Sequence, residues 1–103
     1  MASIVDEKTR EIILLCEKHD VSRFVLFGSA ALSQQKNAFN DLDFLVEFRP
    51  MSPKRHANSF FGLLEDLEQL FGVSIDLVER EPIRNPYFLE SIERNQVVIY
   101  EAA

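Results

Sequence analysis

The amino-acid sequence predicts an α/β (α+β) sandwich in which about four helices cover a small sheet of about four strands. Four short runs are apolar and rich in aromatic or β-branched residues, as buried strands are. Segments with apolar residues at helical spacing alternate with these runs along the chain. The length of 103 residues predicts a single domain, 1–103, built around one hydrophobic core.

In the first half of the chain, the signals predict an amphipathic helix, two strands and a helical turn. Residues 5–19 carry apolar residues at helical spacing among charges, namely Ile12, Ile13, Leu15 and Cys16. Residues 23–27 form a continuous apolar run, which predicts a buried strand ended by Gly28. Ser29 can cap a single helical turn reaching Leu32. After a polar loop, residues 41–48 begin with alternation and become mostly apolar, which predicts the second strand.

In the second half, the signals predict a long helix, two strands and a final helix. A loop from Pro50 to Pro53 precedes a helix over 56–71, which ends at Gly72. The apolar stripe expected on its inner face consists of Phe60, Leu63, Leu64, Leu67, Leu70 and Phe71. Residues 73–78 and 96–100 predict the last two strands. Between them, the helix expected to start at Asn85-Pro86 directs inward the side chains of Tyr87, Phe88 and Ile92.

The charge balance limits the classes of function. Seventeen acidic residues against eleven basic ones give a net charge of −6 and a pI of about 4.8. Proteins that bind nucleic acid passively need a basic face, because neutralising phosphates supplies most of the affinity. The composition therefore excludes a free-standing nucleic-acid binder. It allows an enzyme that handles a nucleotide through metal ions, because such ions bridge two negative partners.

The sequence carries no targeting signal that we recognise. Residues 1–10 are polar and mixed in charge, unlike a secretory signal, and no apolar run is long enough to span a membrane. The single Cys16 excludes an intramolecular disulfide and a multi-cysteine zinc site. Its place on an apolar helix face predicts a core residue. We therefore expect a cytoplasmic protein with no membrane partner.

Three motifs carry candidate chemistry. Gly28 lets the backbone approach a ligand closely, and Ser29 places a hydroxyl beside the free N–H groups of a helix start. Asp41 and Asp43 lie two apart on a predicted strand, so their carboxylates leave one face and repel each other unless a cation lies between them. Asp76 interrupts an apolar strand, where a buried carboxylate costs free energy unless it is paired or binds a metal.

Each motif also has a purely structural explanation. A Gly-Ser pair after a strand is commonly just a turn, and Asp41 with Asp43 can form a solvent-facing polar edge. In combination, three carboxylates on two strands could hold two Mg²⁺ ions through oxygen ligands. Two such ions are the usual clamp for in-line nucleotidyl transfer.

Both histidines are expected on the surface or at caps. His19 ends the first predicted helix and His56 begins the third, and neither has a partner at metal-ligand spacing. The basic residues 54–56 form either a solvated loop or a contact for phosphate or an acidic partner.

The motifs, taken in order, resemble a known family. Leu26 to Ser29, then residues 41–48, then Ile75 to Glu79, and the ending from Asn85 onwards resemble the nucleotidyltransferase fold of the DNA polymerase β superfamily. The resemblance is closest to the minimal nucleotidyltransferase (MNT) family of antitoxin type, and it covers nearly the whole chain. It implies a small mixed β-sheet of about four strands packed with about four helices.

The resemblance also implies a role for each motif. Gly28 and Ser29 would bind the triphosphate of ATP. Asp41 and Asp43 would bind Mg²⁺, as two ions, and Asp76 would complete the metal site and help to activate the attacking hydroxyl. The implied reaction transfers AMP to a hydroxyl group and releases pyrophosphate.

This sequence departs from the family pattern after Ser29. Members usually continue with Arg-Ala-Arg-Gly, whereas Ala30 to Ser33 carry no basic residue and no glycine. The spacer before Asp41 has eleven residues, one more than is usual. The missing arginines would have donated hydrogen bonds to phosphate or to a partner. Candidates to replace their charge are Lys36, Arg80 and Arg84.

Three functions remain open at this point. The resemblance implies an antitoxin that modifies tyrosines of a HEPN-domain toxin, and the negative charge suits a basic partner. A second hypothesis is a binding module with weakened or lost catalysis, which neutralises its partner by forming a complex. A third is a small-molecule nucleotidyltransferase, whose acceptor pocket would form between the subunits of a homo-oligomer.

Overall fold

The computed structural model describes residues 7–27, 41–79, 86–87, 90 and 96–102. The helices and strands in these ranges are helix α1 (Thr9–Lys18), strand β1 (Val21–Phe27), strand β2 (Asp41–Phe48), helix α2 (Pro53–Phe71), strand β3 (Ser74–Glu79) and strand β4 (Val97–Glu101). All four predicted strands are present, with ends that differ from the prediction by two residues or fewer. The predicted turn at 29–32 lies outside the described residues.

Helix α2 begins three residues before the predicted start. Its first residue is Pro53, a position that suits proline because the first turn leaves its N–H groups unbonded. The Ser52 hydroxyl accepts a hydrogen bond from the Arg55 N–H at 3.3 Å and so caps the helix. The prediction that the loop extends to Pro53 is therefore wrong. The predicted stop at Gly72 is confirmed, since this residue has a φ of 68° and its N–H donates to the carbonyl of Glu68 at 2.8 Å.

Near the last predicted helix, the structure describes Pro86, Tyr87 and Glu90, all in helical conformation. Tyr87 is 80% exposed, so the prediction that its side chain points inward is wrong. A tyrosine combines an apolar ring with a polar hydroxyl, and its residue type alone does not fix the direction of the side chain.

The four strands form a mixed sheet in the order β3-β2-β1-β4. Strand β1 pairs antiparallel with β2 on one side and with β4 on the other. Strand β2 pairs parallel with β3, and α2 provides the crossover that a parallel pair requires. Within the described ranges, β3 and β4 are therefore the two edges of the sheet. The mixed α/β class that the sequence predicts is confirmed.

One face of the sheet packs against both helices and holds the larger core. The fully buried side chains from the helices are Ile12, Cys16, Leu63 and Leu67, and those from the sheet include Phe24, Leu42, Phe44 and Val46. The rings of Phe24 and Phe44 stack with centroids 4.7 Å apart. The predicted apolar stripe of α2 and the predicted core position of Cys16 are both confirmed. In the part of the chain that the structure describes, neither helix is both long and apolar enough to cross a bilayer.

The opposite face of the sheet carries a smaller apolar cluster. Val25, Phe27 and Leu45 are buried there, and the partly buried Val78 packs against them. Val25 pairs with Leu45, and Leu45 pairs with Val78, so the cluster crosses three adjacent strands. This face also carries the candidate functional residues described next.

Candidate functional site

Two acidic side chains stand side by side on neighbouring strands. Asp43 of β2 and Asp76 of β3 are partners in the parallel register, and paired strands lie about 5 Å apart. Their chain neighbours Phe44 and Leu77 are buried in the core beneath the helices. Because side chains alternate along a strand, Asp43 and Asp76 both point away from the helices. Asp43 is half-buried and Asp76 is exposed.

The end of β1 lies level with this acid pair. Phe27, its last residue, is the antiparallel partner of Asp43, so Phe27, Asp43 and Asp76 form one row across three strands. The Gly28-Ser29 motif follows Phe27 directly in the sequence. Gly28 and Ser29 themselves lie outside the described residues. The row nevertheless places the end of β1, which leads into the Gly28-Ser29 motif, beside Asp43 and Asp76.

The third predicted ligand, Asp41, begins β2 two residues before Asp43. Its Cα is the register partner of Ser74, two register positions before the acid pair along the two parallel strands. The backbone position of Asp41 is thus described, whereas its side chain lies outside what the structure describes.

The surroundings of Asp76 differ from those predicted. The sequence predicts a buried strand over 73–78, in which a lone carboxylate would be costly. Strand β3 is instead at the edge of the sheet, with Ser74 and Asp76 exposed and only Leu77 fully buried. The argument from burial is therefore wrong, since an exposed carboxylate keeps its hydration. What marks Asp76 as a candidate is its register with Asp43.

The acid pair fits a divalent cation with oxygen ligands. Asp43 and Asp76 place two carboxylates on one face, and Mg²⁺ sites use one or two carboxylates completed by waters and substrate phosphates. Among the side chains that the structure describes, no group of three His, Cys, Asp or Glu residues comes close enough to hold a metal. The structure thus brings together two of the three side chains predicted as ligands.

The apolar cluster gives the acid pair a rigid neighbour. Leu45 and Val78 each lie two residues after an acid on the same strand face, and they are also partners in the register. Leu45 is 2% exposed and also packs on Val25 of β1. Because packed side chains occupy fixed positions, this cluster holds β2 and β3 at a constant spacing beside the acids.

Two histidine–carboxylate pairs lie on the helix side of the sheet and are absent from the sequence predictions. His19 Nε2 is 2.7 Å from Asp66 Oδ2, and Lys18 Nζ donates to the same oxygen at 3.0 Å. These hydrogen bonds, first from His19 and then from Lys18, lower the pKa of Asp66. His56 Nε2 pairs with Glu79 Oε1 and so links α2 to β3.

The predicted capping position of His19 is confirmed, because it is the C-cap residue of α1 and its N–H donates to the carbonyl of Leu15 at 3.0 Å, although its side chain is only 11% exposed. The side chain of His56 is 41% exposed, so its predicted surface position is confirmed. The partners of the two histidines lie 47 and 23 residues away along the chain. No local spacing signals such contacts, so the sequence offered no means of finding them.

Comparison with known proteins finds similarity to nucleotidyltransferases over most of the chain. The family model described as a nucleotidyltransferase domain matches residues 8–99. A presumed protein adenylyltransferase from Methanocaldococcus jannaschii is 33% identical over 86 residues, which cover 84% of each chain. A solved structure of a presumed minimal nucleotidyltransferase is 28% identical, covers 90% of each chain and has a TM-score of 0.71.

A more distant structural likeness concerns the fold alone. A solved complex of an MNT antitoxin with its tri-AMPylated HEPN toxin from Shewanella oneidensis contains a chain with 15% identity and a TM-score of 0.66. The likeness covers 96% of this chain and 74% of that one. Together with the mixed sheet, the family match and the archaeal relative confirm the resemblance to nucleotidyltransferases: the chain belongs to the nucleotidyltransferase domain family and is similar to a presumed minimal nucleotidyltransferase.

Proposed function

We propose that this enzyme is a protein adenylyltransferase that transfers AMP from ATP to a tyrosine hydroxyl of a HEPN-domain toxin, and thereby acts as its antitoxin in the cytoplasm. The observation that carries the proposal is the register of Asp43 with Asp76 beside the end of β1. The archaeal relative, by its name, supports a protein acceptor. The antitoxin complex from Shewanella supports AMP as the transferred group and a HEPN protein as the partner.

The proposed roles rest on the family resemblance and, for Asp43 and Asp76, also on their register in the sheet. Gly28 and Ser29 bind the phosphates through N–H groups and the serine hydroxyl. Asp41, Asp43 and Asp76 hold the Mg²⁺ ions, which supply the positive charge that lets an acidic chain bind a triphosphate.

The proposed transfer is an in-line displacement at the α-phosphorus of ATP. The acceptor oxygen forms a bond to the α-phosphorus, the bond from that phosphorus to the bridging oxygen breaks, and pyrophosphate leaves. Asp76 lies on the exposed edge strand, where a protein acceptor can approach without passing through the sheet. We assign its carboxylate to accept the proton of the acceptor hydroxyl.

Transfer of a labelled nucleotide tests this function. The purified chain is incubated with α-labelled ATP, Mg²⁺ and a HEPN-domain protein from the same organism, sought first among the products of neighbouring genes, and label on that protein is measured. We expect label on tyrosine in the wild type and at least a hundredfold less with Asp43→Asn or Asp76→Asn, about the cost of removing a proton acceptor or a charged ligand. A suitable control is Asp20→Asn, because Asp20 precedes β1 at the end opposite to Phe27 and has a φ of 60°, which asparagine tolerates.

Either of two results would overturn the proposal. One is the absence of any transfer to the HEPN protein by the wild-type chain. The other is transfer that continues undiminished when both Asp43 and Asp76 are replaced by asparagine.

A second candidate function is neutralisation by binding alone. It is favoured by one specific observation, the lack of basic residues from Ala30 to Ser33, where relatives usually carry two arginines. The double variant Asp43→Asn/Asp76→Asn separates the two functions. If the double variant still suppresses the toxin as well as the wild type does, the mechanism is complex formation. If it binds the toxin but no longer suppresses it, the mechanism is AMP transfer.

A further inference from the structure

We propose that a groove beside α2 binds an arginine side chain of a partner protein. This groove, called here the α2 groove, has a volume of about 560 Å³ and is lined in part by Met51, His56, Phe60, Phe61 and Glu79. It opens on the helix side of the sheet, whereas Asp43 and Asp76 point to the opposite side. The proposal is therefore independent of the nucleotidyl-transfer site.

The negative charge of the groove comes from one carboxylate. Glu79 lines the groove with its side chain 27% exposed, and its Oε1 pairs with His56. Among the described residues, Glu79 has no other hydrogen-bond or ion-pair partner. A carboxylate has about four acceptor positions on two oxygens, so Glu79 retains the capacity to bind a donor in the groove.

Aromatic rings form the wall next to this carboxylate. Phe61 is 65% exposed, which is unusual for a large apolar side chain, and it meets Phe60 edge to face with centroids 5.3 Å apart. The ring of Phe48 packs beside this wall, with its centroid 6.5 Å from that of Phe60 and 5.2 Å from that of His56. The faces of such rings attract cations.

These features together match a guanidinium group. It is planar and weakly hydrated, stacks on aromatic faces and donates paired hydrogen bonds to a carboxylate. The ammonium of lysine is compact and strongly hydrated, so it gains less from an aromatic wall. Met51 adds a flexible thioether that adapts to the methylene stem of the arginine.

Among the described residues, the cations at the start of α2 do not pair with Glu79, and the side chain that does is His56. Lys54 and Arg55 lie on the first turn of α2 but do not line the groove, and the Arg55 guanidinium binds Asp20 at 3.3 Å. The start of α2 contributes a partial positive charge. The Ser52 hydroxyl accepts one of the N–H groups there. The chain as a whole has a net charge of −6, which favours a basic partner.

Two small probes of similar shape, one charged and one neutral, test whether the α2 groove binds arginine. The ¹⁵N-labelled chain is titrated with N-acetyl-arginine amide and with N-acetyl-citrulline amide, which is similar in shape but uncharged. We expect the arginine probe to bind about fivefold more tightly, with shifts centred on the amides of Phe61 and Glu79.

Two variants and their controls localise the binding. Glu79→Gln keeps the shape of the side chain and should remove the preference for arginine, whereas Glu68→Gln, on the exposed side of α2, should leave it unchanged. Phe61→Ala should weaken binding of the arginine probe about fivefold, whereas Leu14→Ala, at a position 59% exposed on α1, should not. Equal binding of the two probes, or a preference that survives Glu79→Gln, would refute the site.

A second measurement tests whether the arginine belongs to a protein partner. In the background Asp43→Asn/Asp76→Asn, binding of the HEPN protein is measured with and without Glu79→Gln, so the result does not depend on AMP transfer. We expect the complex to be about fivefold weaker with Glu79→Gln. Unchanged affinity would show that no arginine of that partner uses the groove and would overturn the assignment.

Discussion

Adding one methyl group at Gly62 tests how closely α1 and α2 are packed. Gly62 lies inside α2, and a Cβ atom built on it would be 2.8 Å from Cε1 of His19 and 3.2 Å from its Nδ1. Contacts under 3 Å do not persist, so Gly62→Ala forces the imidazole to move. That imidazole holds the hydrogen bond to Asp66 at 2.7 Å, which links the end of α1 to α2.

Two opposing effects decide the sign of the change. Replacing glycine by alanine inside a helix stabilises the folded state by about 0.5–1 kcal/mol, because glycine loses more backbone freedom on folding. Displacing His19 removes a hydrogen bond to a charged partner, which contributes about 1.5–3 kcal/mol. We therefore expect Gly62→Ala to lower the free energy of unfolding by about 1 kcal/mol, the difference between the two effects.

A double-mutant cycle in urea isolates the contact. In a His19→Ala background there is no ring to displace, so Gly62→Ala should raise the free energy of unfolding by about 0.5–1 kcal/mol. The substitution thus changes sign between the two backgrounds, as measured by circular dichroism. If it stabilised both backgrounds by the same amount, the close contact between Gly62 and His19 would not exist in solution.

Two further predictions concern groups with a shifted pKa. Since hydrogen bonds from His19 and Lys18 lower the pKa of Asp66 in the folded state, this carboxylate stabilises the fold above its unfolded pKa, and the contribution is lost as the pH falls through the folded pKa. Urea unfolding between about pH 6 and pH 2 should therefore show that Asp66→Asn loses less stability on acidification than the wild type does. Equal losses in the two proteins would contradict this assignment. Burial raises the pKa of Cys16 to about 12, with a smaller effect of the Glu17 charge, so a thiol reagent at pH 8 should modify the native protein only as fast as it opens. Urea-unfolded protein should react at once, and equally fast reaction of the native chain would show that the thiol is accessible.

Local patterns were sufficient to predict most of the fold. The run 41–48 alternates acidic and apolar residues at its start and then becomes mostly apolar, which favours a strand, and it forms β2 at those residues. The stripe from Phe60 to Phe71 has helical spacing and packs in the core. The start of α2 was missed, because Pro53 is compatible with both a loop and the first position of a helix.

The candidate site could be predicted only in part. Asp43 and Asp76 could be recognised as candidate residues because each is an acid within a predicted strand. That they are partners in the sheet depends on the order and direction of the strands, which local sequence does not give. The edge position of β3 depends on the same long-range information, which is why Asp76 was wrongly expected to be buried. The contacts of His19 and Glu79 also join segments distant in sequence, and no local pattern predicts them.

The parallel pairing of β2 with β3 has a consequence for how the enzyme matures. Asp43 and Asp76 are 33 residues apart in the sequence, and the whole of α2 lies between them. Contacts of this separation form late, because the chain must lose loop entropy before the pairing compensates for it. We expect a newly synthesised chain to gain a helix and an antiparallel hairpin-like pair before it gains two adjacent acids. Under the proposed function, the capacity to bind a metal-bound nucleotide would arise in the step that completes the sheet, and incompletely folded chains would not compete for ATP.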